Sequence, residues 1–554
     1  MSPESVQRFC GSDMPEHDRP EHKDLKGTTR VPVKNDPTRS LAGRNGQPAK
    51  ETAMANQPPR QVKATLDKDL DKISYVEEVT HHVSRRMAGP GAGLLFLVVA
   101  MIFAGAYVLD KPGAIVVIAA AALAAYMAMN IGANDVTNNV GPAVGSRAMT
   151  MTMALVIAAI FEIAGALIAG GNVVETISKG IVNSATIADP EVFIWAMMAA
   201  LLGSALWVNF ATWIGAPVST THTIVGGVVG AGVAAAGMSA VSWITIASIA
   251  TSWVVSPLLG GVVAAGFLAF IKEFIIYRED KIGAARKWVP VLIAIMSGSF
   301  CAYLTLIGLQ RVLDMSALSV AAIGLVSGLI SWAICVPLVR RQALGLENRN
   351  QSLRKLFSLP LIASAALLSF AHGANDVANA VGPLAAIVQA AQDNALSDTV
   401  SFPWWVMILG ALGISMGILL FGPRLIKLVG GQITKLNPMR AYCVSLSTAL
   451  TVLLASWLGM PVSTTHIAVG AVFGVGFFRE WYTRNSKRRI AYMRMKSERW
   501  EIDAPPERNA DESRRRYLVR RSHFMTIIAA WVITVPVSAG LAAVLYWVMF
   551  QLFV

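Results

Sequence analysis

The sequence predicts an all-α polytopic membrane protein of about 11–12 transmembrane helices, arranged as two inverted repeats with broken helices. Three observations carry that expectation. Only 15% of the 554 residues are charged and 54% are hydrophobic, with a mean hydropathy of +0.53, whereas soluble domains carry about 25% charge. Apolar residues run unbroken over stretches such as 93–108 and 114–127, and about 20 of them cross a hydrocarbon layer of roughly 30 Å. Two polar motifs each occur twice, at nearly one separation.

Residues 1–88 are polar, rich in Pro, Asp, Arg, Lys and Asn and poor in aromatics, so a mostly disordered tail is expected. No apolar segment follows the first residues, which argues against a signal peptide. Leu66, Leu70, Ile73, Val76, Val79 and Val83 recur every three or four positions, which predicts an amphipathic helix over 66–83 lying on the bilayer or on the protein. Apolar segments then predict helices over 93–109, 114–131, 149–170, 192–214, 241–271, 289–310, 317–339, 357–371, 403–421, 441–459 and 524–550. Residues 89–271 form a first repeat with one extra N-terminal span, 272–355 a linker with two spans, and 356–554 a second repeat containing a basic loop at 479–523.

The net charge of +13 could indicate nucleic acid, but its location excludes that reading. Of 47 Lys and Arg, 39 lie in residues 1–90 and in three stretches, 272–288, 340–355 and 479–523. Basic residues between spans follow the positive-inside rule and place these stretches in the cytoplasm. Two spans between the first two loops make one out-and-back excursion, so repeat one ends inside. One span after the third loop leaves the C-terminus outside, so the repeats are inverted, and the N-terminal tail is cytoplasmic. The expected location is the inner (plasma) membrane. Cys10, Cys301, Cys335 and Cys443 show no metal-ligand or disulfide spacing.

Gly132-Ala133-Asn134-Asp135-Val136 returns as Gly373-Ala374-Asn375-Asp376-Val377, with Asn138 matched by Asn379 and Gly141-Pro142 by Gly382-Pro383, at an offset of 241. Pro217-Val218-Ser219-Thr220-Thr221-His222 returns identically as Pro461-Val462-Ser463-Thr464-Thr465-His466, at an offset of 244. A weaker echo links Trp253, Val254 and Pro257 with Trp531, Val532 and Pro536. Inverted repeats place a substrate site near the bilayer midplane between the two halves.

A carboxylate inside a membrane costs a few kcal/mol and marks an ion or substrate path. Asp135 and Asp376, with the amides of Asn134, Asn138, Asn375 and Asn379, offer hard oxygen ligands to a monovalent cation, helped by carbonyls freed where the helix breaks. The competing reading of each Asp is a helix cap. The Ser-Thr-Thr triplets 219–221 and 463–465 offer hydroxyls beside the backbone N–H groups of a helix start, a cradle for a tetrahedral anion; the competing reading is hydroxyls bonded to their own helix carbonyls. Glu162 lies in an otherwise apolar span and should pair or bind a cation, or else join helices. His222, His466 and His372 could ligate a metal with the aspartates, although Ile131 stands where His372 has its counterpart and no metal-type spacing exists.

These residues resemble the inorganic phosphate transporter (PiT) family of sodium- or proton-coupled symporters, over about residues 93–550. The resemblance implies re-entrant helical hairpins carrying both motifs, a homodimer, and inorganic phosphate as substrate. It implies that Asn134, Asp135, Asn375, Asp376 and residues Ser219, Thr220, Thr221, Ser463, Thr464 and Thr465 form the phosphate and cation sites, and Glu162 matches a glutamate that the family uses for transport. Many relatives carry a second glutamate where this chain has Ser445, which leaves the number and identity of coupled cations open. The expected function is secondary active import of phosphate with a sodium ion or a proton, without a cofactor. The alternatives are a sulfate permease of the same fold and an intramembrane metal-dependent hydrolase. Protonated phosphate can donate a hydrogen bond to Asp135 or Asp376, whereas sulfate at neutral pH can only accept, so two carboxylates favour phosphate.

Overall fold

The computed structural model describes residues 65–553 apart from 184–186, 188, 217, 309–314, 394–402, 430–435, 490 and 492–520. The tail 1–64 and most of the loop 479–523 lie outside the described residues. The chain divides into a unit of residues 1–75 and a unit of residues 76–554.

In chain order the helices are α1 (Thr65–Val108), α2 (Ala114–Asn139), α3 (Gly141–Gly145), α4 (Met151–Ala169), α5 (Gly171–Glu175), α6 (Pro190–Ile214), α7 (Thr220–Ala236), α8 (Trp243–Ile271) and α9 (Lys281–Ile307). They continue as α10 (Ala317–Gln342), α11 (Asn350–Leu356), α12 (Ser358–Asp376), α13 (Ala378–Asp393), α14 (Trp404–Val429), α15 (Pro438–Trp457), α16 (Thr464–Asn485) and α17 (Arg521–Phe553). Short π-helical turns follow α5 and α8. Among the described residues the only β-pairing is one isolated bridge, Val182 with Val241.

Ten of these helices are long and apolar enough to cross a membrane, and the pair Asn350–Leu356 and Ser358–Gln392, bent by 44°, makes up an eleventh. Large apolar side chains such as Leu94, Ile102, Ile244, Val262, Leu318 and Trp547 are exposed around the outside, which suits a lipid-facing surface. The interior is filled by small residues, with Ala120, Ala121, Ala124, Ala125 and Ala128 of α2 all fully buried. Small side chains let helix backbones approach closely, which is how membrane helices gain packing energy without a hydrophobic driving force.

The two repeats interlock. Helix α2 packs against α14 of the other repeat, and its counterpart α12 packs against α4. At each crossing the glycine of the first motif is required: a Cβ on Gly132 would collide with the carbonyl of Ile414, and one on Gly373 with that of Glu162. The same exchange joins α7 to α17 and α16 to α8. These crossings bring the motif helices of both repeats to one centre.

Two local features differ from the sequence reading. The amphipathic segment 66–83 and the first span are one helix, which continues through Pro90; membrane helices tolerate a proline where neighbouring groups absorb the lost hydrogen bond. The helix breaks fall after the Asn-Asp pairs, at Val140 and at Val377, and not within them. Asp135 therefore stands inside a continuous helix, whose carbonyls are engaged by that helix, and Asp376 is the last residue of its own.

Candidate functional site

Asp135 and Asp376 are both fully buried, and each accepts from the middle threonine of a Ser-Thr-Thr triplet in its own repeat. Thr220 Oγ1 donates to Asp135 Oδ2 at 2.8 Å, and Thr464 Oγ1 donates to Asp376 Oδ2 at 3.2 Å. The third threonines cross between repeats. Thr465 Oγ1 donates to Asp135 Oδ1 at 3.1 Å and accepts from Asn138 Nδ2 at 2.8 Å. Its counterpart Thr221 accepts from Asn379 Nδ2 at 3.2 Å and donates to the carbonyl of Val462 at 3.0 Å.

The asparagines of the motifs lock the triplet segments in place. Asn375 donates to Ser456 Oγ at 3.0 Å and to the carbonyl of Met460 at 3.1 Å, and it accepts from Val462 N at 3.2 Å. In the orientation that satisfies both amide atoms, Asn134 accepts from Thr212 Oγ1 at 3.0 Å and donates to Val218 O and Asp135 Oδ1, each at 3.1 Å. Thr212 and Ser456 are counterparts at the 244-residue offset. A loop that precedes a helix start inside a membrane needs such partners, because water is absent to take its backbone groups.

The serines also start the two helices. Ser219 is the N-cap of α7, accepting from His222 N at 3.1 Å, and Ser463 is the N-cap of α16, accepting from His466 N at 3.3 Å. One lone pair of each hydroxyl thus serves the helix start, a role that leaves the hydroxyl its own hydrogen to donate. His222 and His466 lie behind the caps with ring centres 4.3 Å apart and planes tilted by 57°, and His222 stacks on the Trp253 ring at 3.7 Å.

Glu162 finds a partner that sequence reading did not assign to it. Its Oε2 lies 2.7 Å from His372 Nδ1, and its Oε1 accepts from Asn139 Nδ2 at 2.6 Å. On its other edge His372 Nε2 stands 2.8 Å from Asp376 Oδ2 and 3.7 Å from Asp135 Oδ2, close enough for ion pairing though not aligned as a hydrogen bond. One imidazole therefore touches all three buried carboxylates. Asp135, His372 and Asp376 offer ligand atoms within 4.8 Å of one another, a set that could hold a cation; His222 and His466 are not part of it. Asp376 Oδ1, Asn139 Oδ1 and Asn379 Oδ1 are buried without a hydrogen-bond partner, so three acceptors around this centre are available to a cation or a donor.

The cluster is asymmetric in a way the motifs foreshadow. His372 stands where repeat one has Ile131, Asn139 where repeat two has Ala380, and at the α2–α14 crossing Ile414 takes the position that Glu162 holds at the α4–α12 crossing. The three departures from the repeat converge on one point. Comparing the motif copies position by position is the signal that could have found Asn139 and set His372 apart.

A cavity of about 460 Å³ reaches the first motif from one side, between α1, α2, α6 and α14. Arg424 lines it together with Asn209, Asn130 and Thr212. Asn209 Nδ2 donates to Asn130 Oδ1 at 3.0 Å, and Thr212 hands on to Asn134. The repeat-two counterparts of Asn130 and Asn209 are Ala371 and Leu453, so these two amides have no match in the second repeat.

Residues 131–542 match the Phosphate transporter family. The chain is 44% identical over 522 residues to a Helicobacter pylori protein named "Putative phosphate permease", covering 86% of this chain and 98% of that one. A protein of Pyrococcus abyssi with a similar name is 40% identical over 354 residues, covering 64% of this chain and 86% of the relative. Among solved structures, one titled "The sodium-dependent phosphate transporter" superposes with a TM-score of 0.70 at 33% identity, over 79% of this chain and all of the other. With a family match across most of its length and a fold shared with a solved phosphate transporter, the chain belongs to the phosphate transporter family.

Proposed function

We propose that this protein is a secondary active symporter that imports inorganic phosphate across the inner membrane together with sodium ions or protons. The observation that carries the reading is the paired aspartate-threonine contacts, Thr220 with Asp135 and Thr464 with Asp376, one from each repeat and both buried in one cluster. A threonine hydroxyl has one hydrogen to give. It can serve the carboxylate or a phosphate oxygen, not both. A cation that settles on the carboxylate takes over its charge and frees the hydroxyl to turn to the anion. Substrate and cation then bind together because each makes room for the other.

Charge supports the same coupling. Asp135, Asp376 and Glu162 face one histidine, and a phosphate would add further negative charge to a fully buried site. Unpaired buried charge costs several kcal/mol, so the anion needs cations beside it. The name of the solved neighbour favours sodium as one of them. By this reading Asn138 and Asn379 supply oxygen ligands or donors beside the cation, the N-terminal tail faces the cytoplasm, the C-terminus faces outward, the protein works as a homodimer, and no cofactor is required.

The test is uptake of radiolabelled phosphate into proteoliposomes with sodium and pH gradients imposed separately and sulfate as competitor. Gradient-driven accumulation of phosphate supports the proposal. Uptake that only equilibrates phosphate, whatever gradient is imposed, refutes coupling, and full competition by equimolar sulfate refutes the preference for phosphate.

A further inference from the structure

The tips of two helical hairpins are equivalent in sequence and unlike in surroundings. Hairpin one turns between α6 and α7 at Trp213-Ile214-Gly215, and hairpin two turns between α15 and α16 at Trp457-Leu458-Gly459, at the offset of 244. Both glycines adopt positive φ, 74° at Gly215 and 68° at Gly459. Hairpin two is held at its tip. Asn172 of α5 donates to the carbonyl of Trp457 at 3.4 Å, and Thr176, in the π-helical turn that follows, donates to that of Gly459 at 2.7 Å. A Cβ on Gly459 would meet Asn172 O at 3.3 Å and Thr176 Oγ1 at 3.4 Å, whereas one on Gly215 would meet nothing within 4 Å among the described residues. Beside hairpin one lies instead the cavity of about 460 Å³, lined by Thr212 and Trp213 of the tip and by Arg424.

Arg424 is the repeat-two counterpart of Asn172. Helices α4 and α14 correspond at an offset of 252, since Gly165 crosses the carbonyl of Phe370 as Gly417 crosses that of Met129. Gly170 likewise faces Val377 and Met407 as Gly422 faces Val136 and Leu155. The same offset carries Asn172 to Arg424 and Thr176 to Leu428. One repeat thus has its donor closed on a tryptophan carbonyl, and the other has the equivalent donor on the wall of a cavity that the equivalent tryptophan also lines.

Alternating access moves one repeat against the other around a fixed site, and repeats of like sequence can exchange their arrangements. Taking the protein as a symporter, as read above, we propose that Asn172 and Thr176 latch one gate and that Arg424 latches the other. In the opposite state Arg424 donates to the carbonyl of Trp213 and closes the cavity, while Trp457 and Gly459 are released. Leucine at 428 leaves this second latch to Arg424. Arginine suits the role because its guanidinium has five N–H groups to give and needs no donor in return, so water serves it while the cavity is open and a carbonyl when it is shut. A single hydrogen bond changes a population by only about 2- to 10-fold, which holds a gate without locking it.

The test reads conformation directly, so its outcome is separate from that of the uptake assay. Spin labels are attached at Leu94→Cys and Trp213→Cys, two exposed positions that line the cavity, in the full chain with Cys10, Cys301, Cys335 and Cys443 replaced by alanine. Distances between them are measured in proteoliposomes by pulsed electron spin resonance. The latch uses the backbone carbonyl of residue 213, which the cysteine retains. Thr176→Val should raise the short-distance population relative to the long one by about 2- to 10-fold. Thr176→Ser keeps the donor and should leave the ratio as it was, and Arg424→Leu added to Thr176→Val should reverse the shift. Identical distances in all variants overturn the proposal, as does a shift in Thr176→Val that Arg424→Leu leaves in place. Opposed shifts in a protein that fails to accumulate phosphate would uphold the two latches and discard the symport reading.

Discussion

Thr465, from the second repeat, donates its hydroxyl to Oδ1 of Asp135, from the first, at 3.1 Å. The mirrored contact is weaker in kind, since Thr221 meets the amide of Asn379 and not Asp376. The centre is therefore assembled from both halves but is not symmetric. Asp135 accepts from two threonines and Asn138, while Asp376 accepts from Thr464 and keeps Oδ1 unpaired.

Removing either carboxylate should stop coupled uptake while leaving the protein inserted. In Asp135→Asn and Asp376→Asn the amide keeps the volume but not the charge a cation needs, and helix packing does not require that charge. Sodium- or proton-driven uptake in proteoliposomes should fall to the protein-free background for both variants. Wild-type rates in either would show that its carboxylate lies off the coupling path.

The threonines test whether both repeats hold one anion. Thr220→Val and Thr464→Val each remove one donor from a buried charged partner, a loss of about 1.5–3 kcal/mol, or roughly 10- to 150-fold in phosphate affinity. Both variants should be weakened, and the measurement is the phosphate concentration at half-maximal uptake. If one valine variant binds normally while the other is inactive, the anion belongs to a single repeat.

Much of this arrangement was legible in the chain because the motifs are local and doubled. Gly132 to Val136 and the triplet at Ser219 repeat closely enough to mark the centre, and apolar runs mark the spans, although some ends miss by eight residues, as at 131 against Asn139, 289 against Lys281 and 421 against Val429. The N-cap role of Ser219 and Ser463 is not legible in the triplets, because a Ser before a helix can cap it or face a ligand, and only the His222 and His466 N–H contacts reveal the cap. The break was misplaced because Gly132 looks like a helix breaker, whereas its lack of a side chain serves the close approach of Ile414. Glu162 and His372 are 210 residues apart, and no periodicity joins them. Their meeting follows from the exchange of helices between repeats, a tertiary fact.

The cavity on the first-motif side, whose mostly apolar wall carries Asn130, Asn209, Thr212 and Arg424, should set access more than chemistry. Asn209→Leu and Asn130→Ala install the residues that repeat two carries at the equivalent positions, Leu453 and Ala371, and Arg424→Gln removes the cation from the cavity wall. Each should lower phosphate exchange through that face several-fold, since an approach without donors does not replace the anion's hydration, while the sodium dependence stays as in wild type. Exchange rates measured with phosphate on both sides of the vesicle provide the readout. Unchanged exchange in all three would exclude this cavity as a route.

Ser445 is fully buried, and its hydroxyl has no hydrogen-bond partner. Ser445→Glu would place there the carboxylate that many members of the family carry. A buried carboxylate without a partner is stabilised by a cation, so the variant should show a steeper or shifted dependence of uptake on sodium or protons. An unchanged Hill slope and cation preference would mean that Ser445 lies outside the cation path.

The contact of Glu162 with His372 separates stability from coupling. Removing one partner of a buried charged pair leaves the other uncompensated and costs about 3–5 kcal/mol, so Glu162→Ile and His372→Ile should each lower the melting temperature of the detergent-purified protein. The repeat supplies its own control, because the equivalent crossing of α2 and α14 is built with Ile131 and Ile414, both fully buried. Replacing a buried ion pair by well-packed apolar residues is often neutral or stabilising. The double variant Glu162→Ile/His372→Ile should therefore melt higher than either single variant. Asn139 loses its acceptor on Glu162 in Glu162→Ile and in the double variant but keeps it in His372→Ile, so the comparison free of this penalty is the double variant against Glu162→Ile. Coupled uptake should remain absent in the double variant, because the imidazole that touches Asp135 and Asp376 is gone along with the carboxylate that holds it. Recovery of fold without recovery of transport would show that the pair is kept for coupling. Additive loss of stability would show that the two side chains do not act as a pair, and full recovery of uptake would remove both from the mechanism.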